Sequence, residues 1–213
     1  MPHEEEGVIK YHLNFEAGEP PSPLLIEDIN NWRTLLHQMQ LMGQDPQRYG
    51  GLGFGNISCR LPDREGKGFV VSGTQTGHLH QLEPEHYCTV TDWDIAANQL
   101  WARGAMQPSS EAITHGAIYD LSDEICVVIH VHSPEIWQCA GSLRLSQTGT
   151  ETGYGTPQLA REIRELYESG ALEKSRLVVI PGHLDGVISF GATAEHAGHE
   201  IVKTLASAIQ NFK

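Results

Sequence analysis

The chain has 213 residues, of which 39% are hydrophobic and 19% are charged, a composition typical of a globular domain. Its net charge of -13 argues against binding to nucleic acid, because phosphate backbones are bound by clustered Lys and Arg. Four cysteines without a C-x-x-C pair argue against a thiolate zinc site or a disulfide framework and favour a reducing cytoplasm. No apolar run reaches the roughly 18 residues of a membrane span, and the opening MPHEEEG has no apolar leader, so neither a membrane segment nor a secretory signal is expected.

The predicted elements begin with a flexible acidic arm over residues 1–21, and one domain is expected over residues 22–213. Ser22 and Pro23 are typical of a helix start, and apolar residues at helical spacing predict a helix that ends near Gly43. Short apolar runs predict the strands 57–61, 69–71, 87–92, 99–103, 125–132, 177–180 and 187–190. The remaining predicted helices begin at residue 109 or 110, or cover 133–140, 157–168 and 193–212, and 141–156 is expected to be a loop.

Helices and strands alternate along the chain, while several neighbouring strands are separated only by hairpin-length loops. This pattern predicts a single α/β domain with a central mixed, largely antiparallel sheet covered by helices.

The stretch VVIHVHSP places two histidines at the end of an apolar strand. Because side chains alternate between the two faces of a strand, His130 and His132 point the same way and can aim two imidazoles at one metal ion. The alternative is a pair of buried histidines whose rings are only hydrogen-bonded. A second H-x-H, His78 and His80, lies in a polar loop and is predicted to be solvated surface.

A catalytic zinc site needs a third protein ligand and an open coordination position. His183, in VVIPGHLDG, also follows an apolar strand, and the adjacent glycines let the backbone bend, which makes it the best candidate. His196 and His199 lie three residues apart on the last predicted helix and are a weaker alternative, because their surroundings look exposed.

The segment PSSE precedes a predicted helix of which Ile113, Ala117 and Leu121 form one apolar face. On a purely structural interpretation, a serine caps the helix and Glu111 lies in its first turn, where the helix dipole favours a carboxylate. On a functional interpretation, the N–H and hydroxyl groups at the helix start form an anion site, and Glu111 serves as a general base beside a metal. His115 lies four residues further on the same face and is expected to orient that carboxylate or to lie in a second shell around the metal.

Taken together, these segments resemble the class II aldolase/adducin family. In chain order the matching motifs are GNIS (55–58), SGT (72–74), PSSEAITHGAIY (108–119), VVIHVHSP (127–134) and GH (182–183). The resemblance implies a compact α/β/α fold and a homotetramer with active sites between subunits. It also implies a divalent metal, usually zinc, held by His130, His132 and His183.

By the same resemblance, Glu111 matches the catalytic acid/base. The residues that match loops binding the substrate phosphate are Gly55, Asn56, Ser72, Gly73, Ser109 and Ser110. The chain departs from the family pattern because its third histidine follows Pro-Gly instead of lying in an N-H-G motif, and because these phosphate loops lack Lys and Arg. Tyr154, in a glycine-rich loop, is a candidate to supply a hydroxyl to a neighbouring subunit.

The expected function is that of a metal-dependent aldolase, a carbon–carbon lyase. It would cleave a ketose phosphate or a related hydroxy-carbonyl compound through a zinc-stabilised enediolate, with Glu111 as acid/base. The same site suits a sugar-phosphate epimerase or dehydratase, and adducin-like members of the family are non-catalytic interaction proteins. The expected partner is a small molecule, a phosphorylated sugar, and the expected location is the cytoplasm.

Overall fold

The computed structural model describes residues 7–62 and 67–212. Within these residues the helices are α1 (Pro23–Gln38), α2 (Ala112–Tyr119), α3 (Pro134–Cys139), α4 (Pro157–Glu168) and α5 (Ala194–Asn211). The strands are β1 (His12–Ala17), β2 (Gly43–Gln44), β3 (Gly53–Phe54), β4 (Asn56–Arg60), β5 (Phe69–Ser72), β6 (Tyr87–Asp94), β7 (Gln99–Gly104), β8 (Val127–His132), β9 (Ser146–Gln147), β10 (Leu177–Val179) and β11 (Gly186–Gly191). None of the helices in this part of the chain has the length and apolarity needed to cross a bilayer.

One large sheet organises the domain, with the strand order β1-β7-β6-β5-β4-β8-β11-β10-β9. The pairs at its two edges, β1 with β7 and β9 with β10, are parallel, and the pairs between them are antiparallel. The predicted mixed, largely antiparallel sheet is therefore confirmed. The short strands β2 and β3 pair separately from it.

Helices cover both faces of this sheet, as the alternating side chains of β8 show. Val127, Ile129 and Val131 belong to a core shared with α1, α3 and α5, whereas Val128 belongs to a second core shared with α2 and α4. All six residues of β8 are buried, which explains why its sequence is almost continuously apolar. The two histidines of β8 have the same parity as Val128, so they face the layer that contains α2.

Most of the predicted elements are confirmed. Helix α4 has the predicted bounds, β6 and β7 form the predicted hairpin, and α5 closes the described chain. The predicted loop 141–156 contains one small addition, the two-residue strand β9.

The expectation of a flexible arm over residues 1–21 is not met from His12 to Ala17. These residues form β1, which extends the sheet beside β7, and Leu13 and Phe15 pack on the second core. The alternation of Leu13 and Phe15 with polar neighbours is the half-buried strand signal that the acidic composition obscured. Residues 1–6 of the predicted arm lie outside the described residues.

Helix α2 begins later than predicted and is buried all round rather than on one face. Glu111, not Ser109 or Ser110, occupies its N-cap position, and all eight of its residues are buried. The reason is that the preceding backbone is drawn towards the sheet: Pro108 bridges to Gly73, and the Ser109 N–H donates to the Ser72 carbonyl. Glu111 is thereby the first side chain of the helix to reach the interior.

The start of α1 also differs in detail from the expectation. Ser22 occupies the N-cap position, but its side chain makes no capping hydrogen bond. The predicted proline in the first turn of the helix is confirmed.

Candidate metal centre

Three histidine side chains meet on the α2 side of the sheet. His130 and His132 come from β8, and His183 comes from the turn between β10 and β11. One ring nitrogen from each lies within 4.8 Å of the others, and all three residues are buried. Antiparallel pairing explains the convergence, because Gly186, at the end of the turn, lies opposite His132 in the β8–β11 register.

The turn that carries His183 depends on glycine. A Cβ at Gly182 would overlap the backbone of Thr152, so the turn and the neighbouring loop approach more closely than any other residue allows. The backbone then closes on itself, with the His183 N–H donating to the Ile180 carbonyl and the Gly186 N–H donating to the His183 carbonyl. Gly182, which precedes His183, therefore has a packing role in this chain.

The hydrogen bonds of His130 determine which of its nitrogens can bind a metal. Its Nδ1 lies 3.1 Å from the carbonyl of Val187, which can only accept a proton, so Nδ1 carries a hydrogen. The opposite nitrogen, Nε2, then faces the other members of the centre. A backbone carbonyl thus plays the orienting part usual for metal-bound histidines.

Glu111 lies directly against this group. Its Oε2 is 3.0 Å from His130 Nε2, and its Oε1 is 3.3 Å from His183 Nδ1. The side-chain amide of Asn56 donates to Oε2 at 2.8 Å. Asn56 can do so because it pairs opposite His130 in the β4–β8 register, which places both side chains on the same face.

The electrostatics of the centre keep Glu111 ionised and His132 neutral. Burial alone raises the pKa of Glu111, but the neighbouring His130 and His183 outweigh burial and lower it well below its usual range. Burial, reinforced by the neighbouring imidazoles His183 and His130, lowers the pKa of His132 well below its usual range. A neutral imidazole offers a lone pair, which is the form that binds a metal.

These residues fit a divalent cation. His132 Nε2 lies 3.0 Å from His130 Nε2, and ligand nitrogens of a tetrahedral zinc site, each about 2.0–2.1 Å from the ion, lie about 3.3 Å apart. Three imidazoles beside a carboxylate form a donor set that suits zinc and other first-row divalent metals.

Beside Glu111 lies a small pocket walled by glycines and hydroxyl residues. Five of the six residues predicted to bind a phosphate line it, namely Gly55, Asn56, Gly73, Ser109 and Ser110. Ser72, the sixth, lies behind the wall, where its hydroxyl accepts a hydrogen bond from the N–H of Ile57 at 3.2 Å. The residues that line the pocket carry no charged side chain, so an anion there would be bound by N–H and hydroxyl groups.

The family model for the class II aldolase and adducin N-terminal domain matches residues 44–208. The chain belongs to the class II aldolase and adducin family. No curated protein sequence matches the chain.

Solved structures with the same fold are more distant in sequence. The sugar-phosphate aldolase of Thermotoga maritima is 16% identical, with a TM-score of 0.68, over 88% of this chain and 93% of that chain. The L-fuculose-1-phosphate aldolase of Thermus thermophilus is 18% identical, with a TM-score of 0.62, over 89% and 93%. YgbL of Escherichia coli, with aldolase, epimerase and decarboxylase as its candidate activities, is 18% identical, with a TM-score of 0.63, over 89% and 88%. At these identities the likeness shows the shared fold.

His115, predicted to orient Glu111 or to lie in a second shell around the metal, makes a hydrogen bond to a residue other than Glu111. Its Nδ1 lies 2.7 Å from the Ser58 hydroxyl, which also lies 2.7 Å from the hydroxyl of Tyr119. Burial lowers the pKa of His115 to about 3, although the charge of Glu111 opposes the shift. His115 is thus a neutral, buried residue behind the centre, and it ties α2 to β4.

This shift predicts how the stability of the fold depends on pH. The unfolded chain binds a proton at this histidine near pH 6.5, whereas the folded chain binds it only near pH 3, so stability is lost as the pH falls between these values. The contribution is about 1.4 kcal/mol per pH unit in that window. We expect urea unfolding between pH 6 and pH 4 to show that the free energy of unfolding falls less steeply with decreasing pH in His115→Asn than in the wild type. The difference between the two slopes should be about 1.4 kcal/mol per pH unit. The exposed His78→Asn serves as the control, and parallel wild-type and His115→Asn curves would contradict the assignment.

Tyr154 does not have the role expected from the sequence. The residue is fully buried, and its ring lies 4.7 Å from that of His183 in the same chain. Its hydroxyl lies 3.2 Å from the N–H and 3.3 Å from the carbonyl of Val8. The expectation that this hydroxyl reaches a neighbouring subunit is therefore wrong, because the N-terminal segment of the same chain covers it.

Three residues beside the centre were not predicted from the sequence. The Tyr49 ring lies 4.5 Å from the His132 ring, and its hydroxyl donates to Asp185 Oδ2 at 2.7 Å. Arg48 donates to the Tyr49 hydroxyl at 2.8 Å. Asp185 could have been suspected, since it lies two residues after His183, but nothing local connects residues 48 and 49 with a strand some 80 positions later.

The other histidine pairs lie at the surface, as predicted. His78 and His80 are exposed in a loop, and His196 and His199 are exposed on α5. Among the described residues, the group of His, Cys, Asp and Glu side chains with metal-ligand spacing is the one formed by residues 130, 132 and 183.

Proposed function

We propose that this protein is a metal-dependent aldolase that cleaves a ketose phosphate or a related hydroxy-carbonyl compound. The family and the buried histidine group support a metal-dependent, aldolase-like function. The observation that carries the finer proposal is the position of Glu111, whose two carboxylate oxygens lie 3.0 and 3.3 Å from two of the three histidines. A proton-transfer group in contact with the candidate metal ligands is what an enediol-type reaction needs.

His130, His132 and His183 would hold the ion, which we propose to be zinc. When bound, it supplies a Lewis acid that stabilises the negative charge developing on the substrate oxygens. Imidazole ligands add no negative charge of their own, so the double positive charge of the ion would be retained. Their rings also exclude water, because each is at most 3% exposed, and this strengthens electrostatic interactions within the centre.

Glu111 is the proposed acid/base at the substrate carbon next to the carbonyl group. The Asn56 amide holds Oε2, and α2 holds the backbone of Glu111 through hydrogen bonds from the N–H groups of Thr114 and His115. Because the side chain of Glu111 is held both at its carboxylate and at its backbone, it retains one orientation. A fixed orientation favours proton transfer at a defined position. General acid–base help of this kind is worth roughly 10²–10⁴ in rate.

The neighbouring pocket is the proposed site for the substrate phosphate. Asn56 lines this pocket and also donates a hydrogen bond to Glu111. A phosphate bound there would therefore be separated from the acid/base by the side chain of Asn56. Hydroxyl groups of Ser109 and Ser110 and the glycine backbone provide neutral donors. This suits an otherwise acidic chain, which must attract an anion locally.

Two other functions use the same residues. An epimerase or a dehydratase acting on a sugar phosphate would need the same metal ligands and the same carboxylate, and aldol cleavage is preferred because these groups suffice for it. A non-catalytic, adducin-like protein would not require a carboxylate buried against three histidines, so the arrangement favours an enzyme. We further propose a homotetramer located in the cytoplasm.

Metal analysis combined with a substrate screen tests this proposal. We expect about one divalent ion per chain in the purified protein and release of an aldehyde from a ketose 1-phosphate or a related hydroxy-ketoacid. Chelation should abolish turnover, and zinc should restore it. Loss of water, or inversion at one carbon without cleavage, would instead support the dehydratase or the epimerase, and a metal-free native protein without turnover would support the scaffold.

A further inference from the structure

The candidate centre is closed to solvent. The exposed fraction is 0% for His130 and His132, 3% for His183 and 1% for Glu111. On the proposed function, a hydroxy-carbonyl substrate must reach the ligand nitrogens and the carboxylate together. Part of the cover over the centre therefore has to move, and the same holds for a metal ion that enters or leaves.

Two tyrosines cover the histidines from different sides. Tyr154 lies against His183 and is fully buried, and Val8 of the N-terminal segment holds its hydroxyl. Tyr49 lies against His132 but is only half-buried. The Tyr49 side is therefore the side on which movement disturbs less of the structure.

Tyr49 belongs to a segment of residues 43–55, which we call the gate loop. The segment begins with β2 and ends just after β3. These two strands have two residues each and pair only with one another, not with the large sheet. Glycines with positive φ stand at both ends, Gly43 at +153° and Gly55 at +76°. Such positions change backbone direction at low cost, so they are suited to act as hinges.

The tip of the gate loop contains one strained residue. Gly50 and Gly51 adopt φ values of +68° and +78° without steric cost, because glycine has no Cβ. Tyr49 has a φ of +49°, a left-handed conformation that a tyrosine rarely adopts. Such strain persists only where neighbouring contacts compensate for it. Here the compensating contacts are those that the tyrosine makes over the centre.

These contacts form a small, partly buried polar latch. The Tyr49 hydroxyl donates to Asp185 Oδ2 and accepts from Arg48 Nη2, at 2.7 and 2.8 Å. Arg48 also donates to the carbonyl of Gln40 at 3.0 Å. Asp185 lies on the turn that carries His183, so the latch joins the gate loop to a segment holding a candidate metal ligand.

We propose that residues 43–55 form a gate over the candidate metal centre, and that the hydrogen bond from Tyr49 to Asp185 is its latch. In the closed state, the Tyr49 ring covers His132. In the open state, the loop turns about Gly43 and Gly55 and leaves a path to the ligand nitrogens. The gate controls access, and it adds no ligand to the ion.

The test is the rate of zinc exchange in the full-length Tyr49→Phe protein, which keeps the ring but removes the hydroxyl of the latch. Zinc uptake by the metal-free protein and zinc release to an excess of a chromogenic chelator are both measured. We expect both rates to rise roughly tenfold, because the variant loses a hydrogen bond to a charged acceptor and opens more often. The dissociation constant should stay within about twofold of the wild-type value, because the latch closes the metal-free and the metal-bound protein alike.

Tyr87→Phe is the matched control, because it removes a hydroxyl that donates to Asn30 Oδ1 away from the centre. Its exchange rates should equal those of the wild type. Wild-type rates in Tyr49→Phe would overturn the gate. A weaker dissociation constant with an unchanged uptake rate would also overturn it, since that result describes a residue that positions the ligands.

A second measurement separates the gate from the proposed function, because it needs neither metal nor turnover. Diethyl pyrocarbonate modifies accessible imidazoles, and peptide mapping reports its rate at residues 130, 132 and 183. In the metal-free protein we expect roughly tenfold faster modification in Tyr49→Phe than in the wild type or Tyr87→Phe. Equal rates would overturn the gate even if the protein proves to be an aldolase, and faster modification would support it even if no zinc binds.

Discussion

Replacing Glu111 by Gln is expected to lower kcat by about 10²–10⁴ while the metal content stays unchanged. The amide keeps the shape of the carboxylate and can still accept the hydrogen bond of Asn56, but it can neither deliver a proton to the substrate carbon after cleavage nor remove one in the reverse direction. The three histidines that would hold the ion are untouched. Steady-state kinetics together with metal analysis of the same preparation measures both quantities.

The control for this variant is Glu200→Gln, which alters a carboxylate on α5 that accepts a hydrogen bond from Ser175. It removes the same charge from the protein outside the centre and should leave kcat unchanged. Unchanged turnover in Glu111→Gln would remove this residue from the mechanism. Loss of the metal together with turnover would instead make Glu111 part of the metal-binding set.

Replacing His130 by Ala is expected to remove the metal. His130 contributes one of three nitrogens, and its Nε2 lies 3.0 Å from both His132 Nε2 and Glu111 Oε2. Loss of an outer-shell partner typically lowers metal affinity 10–100-fold, so loss of a direct ligand should exceed about 100-fold. Metal analysis after dialysis against a chelator checks this, and turnover should fall in parallel.

His78→Ala is the matched control, because residue 78 belongs to the other H-x-H of the chain and is exposed. It should retain full metal occupancy. Full occupancy in His130→Ala would refute the ligand assignment. Circular dichroism is needed beside the metal analysis, because the variant also creates a space in a fully buried site.

The predictable parts of this fold are those in which the sequence repeats a local pattern. Helix α4 has the predicted bounds because a capping Thr156, a first-turn proline and apolar residues at helical spacing lie close together in sequence. The N-terminal strand was missed because its two inward-facing apolar residues are embedded in an acidic segment. The start of α2 was placed too early, because Pro108 and Ser109 bond with the end of β5, a contact that local pattern does not reveal.

The candidate site divides in a similar way. His130 and His132 share a face because strand side chains repeat every two residues, and that follows from the local backbone alone. The Tyr154 prediction failed because Val8, 146 positions away, covers its hydroxyl. Tyr49 was overlooked for the same reason, since only the folded chain brings it to His132.

The sequence by itself determined most of the element types, the common face of His130 and His132, and the family to which the chain belongs. Only the tertiary structure decided that His183 and Glu111 meet these histidines, and that Tyr49 and Tyr154 close the centre. The physical reason is that periodicity is a property of neighbouring residues, whereas these meetings depend on sheet order. Strand β8 lies between β4 and β11 in the sheet. Asn56 at the start of β4 and the turn of His183 before β11 therefore both lie beside the C-terminal end of β8, where α2 presents Glu111.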